Sequence, residues 1–181
     1  MGVGFAAVTQ AREVKRREYA RMTLAEPTDG DFEAKVREVT GDRRRRLLVA
    51  IDAVLQESEH GTWAGGQQVD ATSVDGVEQR TFHLPYVEYS AAVDSLIETL
   101  YQTELIVPFD WMAWMAWKSP GGPGGEGNAA LSLADAVRTI TVSVRGERFG
   151  DGVLLAALQD GTLTRALERL KASYDDGSLA G

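Results

Sequence analysis

Apolar residues recur at helical spacing through most of this chain, and one stretch interrupts them. Leu47, Leu48, Ile51, Val54 and Leu55 mark one face of a helix. Val93, Leu96, Ile97, Leu100 and Tyr101 mark a second, and Leu133, Ala136, Val137, Ile140 and Val144 a third. Stripes of this kind are stable only when buried against one another, which demands a helical core. Residues 58–84 break the pattern. Gly61, Gly65, Gly66 and Gly76 punctuate them, and Val69-Asp70 and Val77 to Leu84 read as two short strands around a turn at Asp75-Gly76. That is a β-hairpin signature. Trp63 is expected to pack under the hairpin, and Pro85-Tyr86 to close it. The expected fold class is α+β, mainly α: a helical core with one small β-hairpin and a C-terminal helical hairpin.

Local signals fill in the rest. Residues 5–24 read as a helical arm, ended by Glu26-Pro27-Thr28-Asp29-Gly30, because Pro and Gly stop helices and Asp favours turns. Asp31 to Val39 is a short helix candidate. Ser90 can cap the Val93 helix. A short, very apolar helix opens near Pro108 and runs to Trp117, with Asp110 in its first turn, where a carboxylate suits the helix dipole. SPGGPGGEGN, residues 119–128, reads as a loop inside the domain. Ser132 and Asp135 form a capping box for the third stripe. Helices at 153–159 and 162–173, joined at Asp160-Gly161, complete the chain. The expected organisation is an N-terminal helical arm over 1–40, a single globular domain over 41–174 and a frayed tail over 175–181.

Composition narrows the chemistry. Among 181 residues there are 19 Lys and Arg and 27 Asp and Glu, a net charge of −8. Residues 1–48 carry 11 basic and 8 acidic side chains, and the remainder 8 and 19. An acidic body speaks against broad binding of nucleic acid, which needs clustered cations. With no cysteine, disulfides, thiolate zinc sites and cysteine nucleophiles are excluded. His60 and His83 are the two histidines, so no metal site and no cofactor is expected. His60 reads as a surface turn residue and His83 as a structural one. No apolar run is long enough to span a membrane, and the first residues lack the basic-then-apolar order of a signal peptide. A soluble, cytoplasmic protein is expected.

One polar face stands out. Arg138, Thr141, Arg145 and Arg148 fall at i, i+3, i+7 and i+10, within a sector of roughly 80° on a helix. Three guanidiniums there suit a phosphate or carboxylate. They equally suit a structural ion network with Asp110, Glu104 or Glu147. Phe109, Trp111, Trp114 and Trp117 suit a core at helical spacing, or the aromatic wall of a pocket. Tyr86 adds a hydroxyl at the hairpin exit. The segment Val153 to Leu170 has helix-turn-helix spacing at Ala157, Gly161, Leu167 and Leu170, with Arg165, Arg169 and Lys171 on the second helix. Ordinary helical hairpins share that spacing. The glycine-rich stretches lack phosphate-loop spacing, and no hydrolase or zinc-protease motif is present.

Two blocks carry a family resemblance. PYVEYSAAVDSLIETLYQTELIVPFDWMAWM and LADAVRTITVSVRGERFGDGVLLAALQDGTLTRALERL resemble the DUF6508 family of bacterial domains of unknown function. The matching positions are Pro85 and Tyr86; Pro108, Phe109, Asp110, Trp111 and Trp114; then Thr141, Arg145, Arg148, Phe149 and Gly152, with Gly161 at the last turn. The stretch Gly-Thr-Trp-Ala-Gly-Gly resembles the family's upstream Trp-containing segment. Coverage is roughly residues 45–172, which leaves the N-terminal arm outside it. The resemblance implies a shared role for Asp110, Trp111, Arg145 and Arg148, in folding or in binding.

The expected function is a non-catalytic binding or interaction domain. Its ligand-binding residues would be Tyr86, Asp110, Trp111, Trp114, Thr141, Arg145 and Arg148, around a pocket for a small anionic ligand or a peptide. The partner is then that ligand or a protein, with no membrane, and the oligomeric state is open. One alternative is an enzyme on a phosphorylated or nucleotide-like substrate, with Asp110 as general base and the arginines as clamps. Another is a DNA-binding regulator using residues 153–173.

Overall fold

The computed structural model describes residues 26–66, 68–74, 77–82, 84–118 and 131–175, with only the backbone described for 68–82 and 116–118. Among the described residues the chain forms seven helices and four strands. The helices are α1 (Asp29–Glu38), α2 (Gly41–Gln56), α3 (Ala91–Gln102), α4 (Trp111–Lys118), α5 (Leu133–Gly146), α6 (Val153–Gln159) and α7 (Thr162–Asp175). The strands are β1 (Gly61–Ala64), β2 (Gln68–Val74), β3 (Val77–Phe82) and β4 (Tyr86–Tyr89). The fold is α+β and mainly α, as expected.

The three stripes meet in one core. α5 lies at its centre, packed on α1, α6 and α7, while α2 packs on α3 and α7. Leu47, Ile51, Leu96, Leu100, Val137, Ile140, Leu163, Leu167 and Leu170 are all buried in it. Fully burying one such side chain stabilises the fold by about 1.5–3 kcal/mol. Of the arm expected over 1–40, residues 1–25 lie outside the described residues. Its last part is α1, whose Phe32 and Val36, with the following Val39, belong to the same core.

Polar side chains fix the helix ends. The Thr28 backbone N–H and hydroxyl both donate to the Asp31 carboxylate, at 2.8 and 2.7 Å, and these bonds hold its carboxyl below the ordinary range. Ser90 accepts the Val93 N–H at 3.2 Å and donates to Glu57 at 2.6 Å, so one hydroxyl caps α3 and ties it to the end of α2. Ser132 accepts the Asp135 N–H at 3.0 Å at the start of α5. At the far end of α7, Tyr174 is buried and donates to the Val36 carbonyl at 3.0 Å. Burial pushes its phenol up to about 12, and Arg44, over its ring, opposes that shift. His60 is half-buried, with Nε2 3.0 Å from the Val54 carbonyl, and so is tied to α2 rather than free in a turn. His83 lies outside the described residues.

The hairpin is longer than the sequence suggested. β2 and β3 pair antiparallel, and β1 and β4 pair antiparallel outside them. Ala64 faces Tyr86 and Gln68 faces Phe82, so the same register runs through both pairs. Tyr86 therefore does not close the hairpin; it begins another strand of the same ribbon. A register shift between Val69 and Ala71 bulges β2. Strand alternation puts Trp63, Val87 and Tyr89 on one face and Tyr86 and Glu88 on the other. The first face rests on the loop between α5 and α6. Trp63 does not pack beneath the ribbon: it is 56% exposed, and its indole lies against Gly152. A Cβ on Gly152 would stand 2.4 Å from that ring, and its φ of +84° already favours glycine.

Candidate functional site

The first turn of α4 divides the predicted residues between two surfaces. Asp110 and Trp114, four residues apart, look one way, and Trp111 looks another.

On the Asp110 side, two adjoining cavities open between residues 26–27, the start of α4 and the face of α5. The larger, of about 420 Å³, is lined by Glu26, Pro27, Asp110, Ala113, Trp114 and Arg138. The smaller, of about 250 Å³, is lined by Glu26, Pro27, Pro108, Phe109, Asp110 and Arg145. Asp110 caps α4: its Oδ1 accepts the Ala113 N–H at 3.0 Å. Its own N–H donates to the Glu26 carboxylate, at 3.2 and 3.4 Å to the two oxygens. A chain carboxylate thus rests where the helix dipole favours negative charge. The aromatic wall is anchored in the core. Phe109 meets Phe32 edge-on at 5.5 Å and Trp114 edge-on at 6.1 Å. The Trp114 Nε1 atom is buried without a hydrogen-bond partner among the described residues.

The two arginines in these walls differ. Arg138 reaches Asp29 at 2.7 Å and Asp135 at 3.2 Å, and its guanidinium lies 4.3 Å above the Phe32 ring. It is a structural cation joining α1 to α5, with carboxylates other than the three the sequence offered. Arg145 makes no ion pair among the described residues. It lines the smaller cavity with Asp110 without reaching salt-bridge distance of it. The other two carboxylates are engaged elsewhere. Glu104 lies 3.6 Å from Lys35. Glu147 accepts the Gly152 and Leu154 N–H groups at 2.8 and 2.9 Å and so caps α6.

Four predicted residues line neither cavity. Thr141 is fully buried; its hydroxyl accepts the Val107 N–H and donates to the Leu105 carbonyl, both at 3.3 Å. It holds the irregular segment that leads to Pro108. Trp111 packs on Phe149, ring centroids 5.8 Å apart and tilted by 31°. Arg148 is exposed beside it. Tyr86 stands on the outward face of the ribbon and donates to Glu88 at 3.0 Å, a bond that raises its pKa. Nearby on the inner face, Tyr89 is buried at its hydroxyl without a hydrogen-bond partner among the described residues; burial, then the Glu147 carboxylate, pushes its pKa up. Sequence reasoning missed Glu26 and Pro27, whose place in the cleft depends on contacts across 84 residues.

The C-terminal hairpin has the expected turn, with Gly161 at φ +77°. Of its three basic residues, Arg169 donates to the Leu131 carbonyl at 3.1 Å and Lys171 pairs with Asp52. Arg165 is exposed, next to an exposed Glu168. Among the described residues no group of acidic or histidine side chains could hold a metal ion, and no helix is long and apolar enough to cross a membrane.

Fold and cleft together define a mainly helical α+β domain with an open, mixed-charge cleft between α4 and α5. The chain belongs to a family of unknown function (DUF6508), whose profile matches residues 39–176. No curated protein and no solved structure matches the chain.

Proposed function

We propose that the protein is a non-catalytic, cytoplasmic binding domain whose cleft takes the anionic group of a small ligand or a peptide, with Arg145 as the pairing cation. One observation carries this reading. Arg145 is a half-buried guanidinium with no carboxylate of its own among the described residues, set in the wall of a cleft with an aromatic side. A bidentate partner for such a group is a carboxylate or a phosphate. Glu26 supports the same chemistry, since a carboxylate already sits on the Asp110 N–H at the cleft edge. An incoming anion would take its place.

The test is thermal melting with acetate, succinate, inorganic phosphate, nucleotides and an acidic peptide as probes. A ligand of the native state raises the melting temperature by mass action. At least one probe should raise that of wild type and leave Arg145→Ala unmoved. Glu26→Gln, which removes the competing charge, should respond at lower probe concentration. A wild type deaf to every probe, or an equal response in Arg145→Ala, overturns the reading.

A further inference from the structure

The opposite side of α4 and the loop before α6 expose several large apolar side chains. Phe149 is 74% exposed and packs on Trp111. Val153, exposed, lies against Gly146 and Gly150, on the same turn as Phe149. Trp63 joins at Gly152. Met115, one helical turn beyond Trp111, and Met112, 68% exposed, extend the surface along α4. A fully exposed aromatic side chain presents roughly 150–250 Å², so Phe149, Trp63, Met112, Met115 and Val153 together expose on the order of 500 Å². That is at the upper end of what a monomer leaves in water. It also matches the apolar share, a little over half, of the ~800 Å² that each partner contributes to a standard interface.

Charge indicates the occupant. Arg148 directly precedes Phe149 and Asp151 follows it by two residues; both are exposed, and neither makes an ion pair among the described residues. A surface that carries one cation and one anion next to an apolar centre suits a second copy of itself under a two-fold rotation. We propose that this face pairs with the same face of a second copy of the chain, Phe149 packing at the centre and Arg148 of each copy meeting Asp151 of the other. The cleft residues Glu26 and Arg145 stay outside this contact, so the inference is independent of the proposed ligand.

Sedimentation of the full chain from micromolar to sub-millimolar concentration tests it. Wild type should approach twice its 19.6 kDa. Phe149→Asp should remain monomeric and stay folded, with only a small drop in melting temperature from the lost contact with Trp111. Arg148→Asp and Asp151→Arg should each weaken association at least about tenfold, and the two together should restore it. A wild type that stays monomeric throughout overturns the proposal. So does a dimer that ignores Phe149→Asp, or a double charge reversal that fails to recover.

Discussion

Arg138 and Arg145 stand two turns apart on α5 and carry the same guanidinium into different surroundings. Arg138 is 12% exposed, with two carboxylates and a phenyl ring around it. Arg145 borders open space and has no carboxylate within pairing distance among the described residues. Helical spacing treats the two alike. What separates them is α1, which brings Asp29 and Phe32 over the first turns of α5 and does not cover the last. A charge enclosed by partners holds two elements together even where it borders a cavity, whereas one without such partners is available to something that is not part of the chain.

The largest expected effect tests the enclosed side. Arg138→Ala removes charge-assisted bonds to two carboxylates and the contact with Phe32, and should cost about 2 kcal/mol in denaturant unfolding. Arg145→Ala in the same assay should change stability by no more than about 0.5 kcal/mol. Equal losses would erase the distinction between the two. Asp110 comes next. Asp110→Ala removes the cap of α4 and should cost about 1 kcal/mol, while Asp110→Asn keeps it and should be close to neutral. A large loss in Asp110→Asn would mean that the charge, and not the cap, matters there.

The smallest effect concerns Asp31, on the element that encloses Arg138. Hydrogen bonds from Thr28 hold its folded pKa below the unfolded value. Its contribution is therefore fully present above the unfolded pKa, near 3.9, and fades as pH falls through the folded value. Wild type should lose stability more steeply than Asp31→Asn on acidification below about pH 4, a difference visible in melting temperatures. Parallel curves would show that the cap adds nothing that titrates.

The helical core was legible because periodicity is a local property. Leu47, Ile51 and Val54, Val93, Leu96 and Leu100, and Leu133, Ala136, Val137, Ile140 and Val144 are buried where their spacing put them, while Leu48, Leu55 and Ile97 are half-buried against the core and Tyr101, assigned to the second stripe, is exposed. The outer pair of strands was not, since β1 has four residues with no alternation in burial and pairs with a strand that follows the whole β2–β3 hairpin in the chain. The candidate site was legible in part. Asp110, Trp114 and Arg145 come together. Thr141 shares their spacing, but it lies at the edge of a helix buried on most sides, between Ile140 and Val144, so its hydroxyl serves the backbone of 105–107. Glu26 and Asp29 carried no local sign of their roles, because each acts on an element more than 80 residues away.

Gly152 has a consequence for how this sequence can change. The indole of Trp63 occupies the space where any side chain at 152 would begin, and the backbone there is in a conformation that L side chains rarely adopt. The two constraints are separable. Replacing Trp63 with a small residue would clear the volume and leave the torsion, so position 152 would still resist substitution. The dependence runs one way: drift at 63 is open as long as 152 stays glycine, and a lineage that lost the glycine would have to rebuild the loop before the ribbon could settle on it again.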